Sequence, residues 1–149
     1  MRRPGSFRRS RLLKRATKPL PNADAIARRI SELEQDHAGL SSDFDRAVAK
    51  AKRIRGARKK LPPKNPKAHD LLLVEKASTL EACNAAIAGF RKELERNELL
   101  LRIARHEGKS GEMRKITHNS GVARKAIEAF EKKAEQIGTE LLEEGYDFG

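Results

Sequence analysis

The chain has 149 residues, the length of about one domain, and 36% of them are charged, well above the roughly 25% of an average soluble protein. Lys and Arg number 33 against 21 Asp and Glu, a net charge of +12, while no apolar run exceeds four residues, which excludes a membrane-spanning segment. The one cysteine, Cys83, excludes an intramolecular disulfide, and five Phe, one Tyr and no Trp argue against a stacking platform for single strands.

The charge is segregated. Residues 1–21 hold Arg2, Arg3, Arg8, Arg9, Arg11, Lys14, Arg15 and Lys18 and no acid. With little apolar content this arm has nothing to build a core from and is expected to be disordered on its own. Its cations suit nucleic-acid phosphates. Two alternatives stay open. An acid-free, Arg-rich and Ser-containing leader resembles a mitochondrial transit peptide, and the same charge fits an anionic lipid or an acidic protein. A secretory signal is excluded, because no apolar stretch follows the arginines.

Pro19, Pro21 and Asn22 close the arm, and Asn22 is placed to cap a first helix over about 23–58. Apolar residues then recur in steps of three and four along the seam Ile26, Ile30, Leu33, His37, Leu40, Phe44, Ala47, Ala51 and Ile54. Residues 22–45 carry six acids and two cations, whereas residues 46–67 carry ten cations and no acid. This second cluster includes Lys52, Arg53, Arg55, Arg58, Lys59 and Lys60.

Pro62, Pro63 and Pro66 break the helix, and Asn65 followed by Pro66 begins a second one over about 67–106. Its seam is Leu73, Lys76, Leu80, Cys83, Ile87, Phe90, Leu94, Asn97, Leu101 and Ala104, widened by Leu72, Ala77, Leu100 and Ile103 as a helix with two neighbours requires. Asn97 on this seam reads as a register device. Gly108 to Gly111 then turns the chain into a third helix over about 111–144, with the seam Met113, Ile116, Ser120, Ala123, Ile127, Phe130, Ala134, Ile137 and Leu141. Three matched helices joined by short loops predict an all-α, elongated up-down-up three-helix bundle with coiled-coil-like packing. Residues 22–145 form the bundle and residues 146–149 a tail. In such a bundle Glu140, Glu143, Glu144 and Asp147 are expected to approach the basic stretch 52–67 and neutralise part of it.

Residues 112–131, EMRKITHNSGVARKAIEAFE, carry a competing signal. Ile116, Thr117, Gly121, Val122, Ile127 and Phe130 resemble the inward, small and turn positions of a helix-turn-helix DNA-binding motif. That resemblance implies a recognition helix from Ala123 on, with Arg124 and Lys125 facing DNA. The same residues also fit one uninterrupted helical seam, with Gly121 costing about 1 kcal/mol in its interior.

No pattern points to catalysis. Gly108-Lys109-Ser110 lacks the earlier glycine and the preceding strand of a phosphate-binding loop. His37, His69, His106 and His118 lack metal-ligand spacing. Cys83 falls on a core position, and the carboxylate pairs lie on solvated faces. The sequence therefore predicts a non-enzymatic protein with neither cofactor nor metal. Its expected partner is DNA or RNA, bound with little sequence preference through the arm and the second cluster, in a reducing compartment such as the cytoplasm, nucleoid or nucleus. The alternative is a scaffold or adapter whose seams pair with a second copy or with another protein's helix.

Overall fold

The structure, a computed structural model, describes residues 19–148. It consists of three helices, α1 (Ala23–Lys59), α2 (Pro66–Glu107) and α3 (Ser110–Glu143), in an up-down-up bundle. Among the described residues there is no strand. At about 1.5 Å per residue the helices are roughly 50–60 Å long. The arm, with Arg2, Arg3, Arg8, Arg9, Arg11, Lys14, Arg15 and Lys18, lies outside the described residues.

Each helix end has a local cause. Asn65 Oδ1 accepts a hydrogen bond from the Lys67 backbone N–H at 3.0 Å, and Pro66 stands in the first turn, where its missing N–H costs nothing. Asn22 behaves differently from the expected side-chain cap. Its backbone is left-handed, with φ of 62°, and its side chain makes no capping bond. Asparagine tolerates that conformation, and the helix starts through its carbonyl, which accepts from Ile26 N–H at 2.9 Å. Gly108, with φ of 69°, closes α2, and the following Lys109 N–H returns to the Ala104 carbonyl at 2.9 Å. Only Gly108 and Lys109 separate α2 from α3, so the reversal is tight.

The central helix is α2. Both α1 and α3 pack along it and scarcely touch one another. They meet at mid-height through three rings. Phe130 of α3 contacts Phe44 of α1 edge-on at 6.3 Å and stacks on Phe90 of α2 at 6.2 Å. Every residue of the three seams is buried or half-buried. Two of the polar seam positions, Asn97 and Ser120, meet each other, with Asn97 Nδ2 donating to Ser120 Oγ at 3.2 Å. A third, Lys76, reaches Glu140 at 3.1 Å. A one-residue slip of α3 against α2 would leave the buried Asn97 amide without its partner, so the pair fixes the register.

A second inward face of α2 receives α1. It comprises Ala68, Leu71, Glu75, Ser78, Ala82, Ala85 and Gly89, of which Ala68, Glu75, Ser78, Ala82 and Gly89 are buried. The small side chains allow close approach: a Cβ built on Gly89 would stand 3.8 Å from both His37 Cδ2 and Leu40 Cβ.

The helix-turn-helix reading does not hold. The chain passes from Ser110 to Glu143 as one helix, and Gly121 takes no left-handed turn. Its neighbours explain this. Ser120, Ala123 and Ile127 are all buried on one face, and a turn at Gly121 would split that face.

Candidate nucleic-acid interface

The C-terminal third of α1 buries Ala47 and Ala51 and half-buries Ile54 and Arg58 against α2. At 100° per residue, the opposite face of the helix carries Ala49, Lys52, Arg53, Gly56, Lys59 and Lys60. All six are exposed. The result is an outward strip with two pairs of cations on either side of Gly56. Lys50, Lys64 and Lys67 are exposed around the same end of the molecule.

The ten cations of residues 46–67 divide into two groups. Arg46 is paired with Asp43 one turn earlier. Arg55 and Arg58 turn inward onto Glu75 of α2: Arg55 Nε donates to Oε1 at 2.6 Å and Arg58 Nε to Oε2 at 3.0 Å. The other seven, Lys50, Lys52, Arg53, Lys59, Lys60, Lys64 and Lys67, have no ion-pair partner among the described residues. The site predicted from sequence therefore splits, with Lys52, Arg53, Lys59 and Lys60 facing outward while Arg55 and Arg58 are held by Glu75.

Two of the acids expected to neutralise this cluster, Glu140 and Glu144, pair elsewhere. Glu140 pairs with Lys76, and Glu144 Oε2 lies 3.1 Å from His69 Nε2, from which it accepts when that nitrogen carries the proton. Both partners belong to α2. Because α1 and α3 occupy separate faces of α2, Glu140 and Glu144 meet α2 rather than the basic end of α1. Glu75 takes over that neutralising role, and for two cations only.

Glu75 is the residue that sequence reasoning missed. Its side chain is 8% exposed. Burial by itself raises the carboxyl, but the hydrogen bonds from Arg55 and Arg58 outweigh it and hold it below the usual 4.5. A carboxylate whose folded value is depressed stabilises the fold above its unfolded value, and that stability is lost as pH falls through the folded value. Glu75→Gln is therefore expected to cost about 1–3 kcal/mol at neutral pH. It should also flatten the loss of thermal stability below pH 5 or so, a window set by the unfolded carboxyl value. Melting followed by circular dichroism over a pH series checks both. Parallel curves for the two proteins would mean that the carboxylate is not engaged.

Ion pairs join the helices away from the strip. Arg29 binds Glu95 at 2.7 Å, Lys92 reaches Asp36 at 3.6 Å, Arg96 reaches Glu34 at 3.7 Å and Arg91 reaches Glu131 at 3.9 Å. These pairs staple the helices around the middle and lower part of the bundle. On α3, Arg124 and Lys125 are exposed on a continuous helix, not at the start of a recognition helix.

One other concavity stands out, a cleft of about 270 Å³ between α1 and α2 beside Phe130. His37, Ser41 and Asp45 are among the residues that line it. Among the described residues no three His, Cys, Asp or Glu side chains are grouped to hold a metal ion. No helix of the described residues is long and apolar enough to cross a membrane. Comparison of the chain with protein-family models, with curated proteins and with solved structures returns no match.

Proposed function

We propose that this protein is a non-enzymatic nucleic-acid-binding protein that contacts phosphates, with little sequence preference, through the cationic strip of α1 and the basic arm. The carrying observation is the concentration of unpaired, acid-free positive charge at one end of the bundle. Residues 46–67 hold ten cations and no acid, and seven of these cations, from Lys50 to Lys67, are exposed and have no ion-pair partner among the described residues, whereas the other unpaired cations of the bundle, such as Arg28, Arg102, Arg114, Arg124 and Lys132, are interspersed with acids along the chain. Concentrating seven like charges costs self-repulsion, which an anionic partner relieves. The eight cations of residues 1–18 add to this reading through their charge alone.

The strip favours double-stranded over single-stranded partners. It holds no aromatic side chain for bases to stack on. Binding of a random-sequence duplex should therefore be dominated by counterion release. The slope of log K against log salt should be about −0.9 per phosphate contact, and with six or more contacts the affinity should fall by about three orders of magnitude between roughly 50 and 200 mM salt. Fluorescence anisotropy of a labelled duplex over a salt series measures this. If the protein binds neither DNA nor RNA at low salt, the reading falls, and the scaffold or adapter reading takes its place.

A further inference from the structure

The outward face of α1 near its C-terminal end is a trough between two rows of cations. At 3.6 residues per turn, Lys52 and Lys59 fall in one row and Arg53 and Lys60 in the other, about 100° apart around the helix axis. Within each row the two residues are seven positions apart in sequence, so about 10 Å apart along the axis. Between the rows lie Ala49 and Gly56, also seven positions apart, and all six residues are exposed. Asp45, one turn before Ala49 on the same middle line, ends the trough.

Packing among the described residues does not account for this arrangement. Gly56 is helical, and a Cβ built on it would meet no atom within 4 Å, so neither a turn nor a close approach of another helix calls for glycine there. Gly39, Gly121 and Gly138 are equally unpacked, but only Gly56 has a cation on either side both one turn before and one turn after it. The four cations have no ion-pair partner among the described residues, whereas Arg55, which borders the Lys52 row, is turned onto Glu75.

The pattern of charge identifies its complement. One phosphate backbone is a single line of negative charge, and a single line of cations matches it. The two backbones that border a groove are two lines of charge with no phosphate between them. Two rows of cations on either side of an uncharged, low middle line match the second arrangement. The trough from Ala49 to Lys60 covers about 16 Å of helix, about five base pairs at 3.4 Å each. Resting on the function proposed above, we infer that α1 lies along one groove of a double-stranded nucleic acid. The Lys52 and Lys59 row then meets one backbone, the Arg53 and Lys60 row meets the other, and Ala49 and Gly56 stand over the groove between them.

The test uses duplexes of about 20 base pairs, in parallel DNA and RNA arms, in two forms. One form has ordinary phosphates on both strands, and the other has uncharged methylphosphonates throughout one strand. Fluorescence anisotropy over a salt series gives the slope of log K against log salt for each, and the arm that binds more tightly identifies the nucleic acid. The strip's share of the slope is the difference between the intact protein and the full-length variant Lys52→Gln, Arg53→Gln, Lys59→Gln and Lys60→Gln, which subtracts the contribution of residues 1–18. On the ordinary duplex this share should be about 3.5 units, four contacts at about 0.9 each. With one strand uncharged it should fall to about 1.5 units, because two contacts remain and the sparser charge lowers each to about 0.7. Two further full-length variants separate the rows. Lys52→Gln with Lys59→Gln leaves one row, which needs one backbone only, so its share should change by less than about half a unit when a strand is neutralised. Lys59→Gln with Lys60→Gln leaves one cation in each row, so its share should fall by about one unit. Glutamine is a good helix former, and circular dichroism checks that each variant keeps its helices. A strip share that stays near 3 units on the half-neutral duplex overturns the groove geometry and leaves the nucleic-acid reading standing. So do equal responses of the two double variants. A four-fold variant with the slope of the intact protein also overturns it and assigns binding to residues 1–18. Absence of any binding by the intact protein at low salt overturns both.

Discussion

Leu33→Ala is expected to destabilise the protein by about 2–5 kcal/mol, the range for truncating a fully buried leucine. Leu33 is 0% exposed and lies in the narrow stripe by which α1 rests on α2. The buried residues of that stripe are Ile26, Leu33, Ala47 and Ala51, so Leu33 supplies a large share of its apolar contact. The backbone around it is held by the Arg29–Glu95 and Lys92–Asp36 pairs that flank it, so the space is not closed by collapse. For a chain of this size the loss corresponds to a fall in Tm of roughly 6–15 °C. Ile30→Ala, one turn earlier and only half-buried, should cost clearly less. Urea unfolding followed by far-UV circular dichroism measures both. A loss under about 1 kcal/mol at Leu33 would show that α1 does not dock through this residue.

The sequence carries the α2–α3 interface more openly than the α1–α2 interface. The seam from Leu73 to Ala104 is written in large apolar residues, and its polar members Lys76 and Asn97 find Glu140 and Ser120 on α3. The face of α2 that receives α1 is written instead in Ala68, Glu75, Ser78, Ala82 and Gly89. Small residues contribute by letting backbones approach and leave no hydropathy signal, so periodicity does not reveal them. Glu75 is concealed for another reason. Read along the chain it is one acid after four apolar residues, and its partners Arg55 and Arg58 lie 20 and 17 positions away across a proline-rich loop. The error over the C-terminal acids has the same root. Alternating helix directions place the end of α3 at the same pole as the end of α1, but not on the same face of α2.

The division of the second basic cluster gives the sharpest functional expectation. Lys52→Glu, Arg53→Glu, Lys59→Glu and Lys60→Glu together should lower affinity for duplex nucleic acid by about 100-fold or more near 0.1 M salt. They should also reduce the salt slope by up to 3–4 units, at about 0.9 per lost contact. The four positions are exposed and unpaired among the described residues, so Tm should change little. Arg55→Ala with Arg58→Ala should do the reverse. Both guanidiniums are spent on Glu75, so their removal should change the salt slope by less than about one unit. It should nevertheless lower Tm, because a carboxylate only 8% exposed is left without a counter-charge. The comparison is informative because the two sets lie within nine residues of one helix and carry the same kind of charge. A protein that bound through net charge alone would respond to the number of cations removed and not to their direction. If affinity follows Arg55 and Arg58 instead, the outward strip is not the binding surface. If neither set changes affinity while neutralising residues 1–18 abolishes it, binding belongs to the arm.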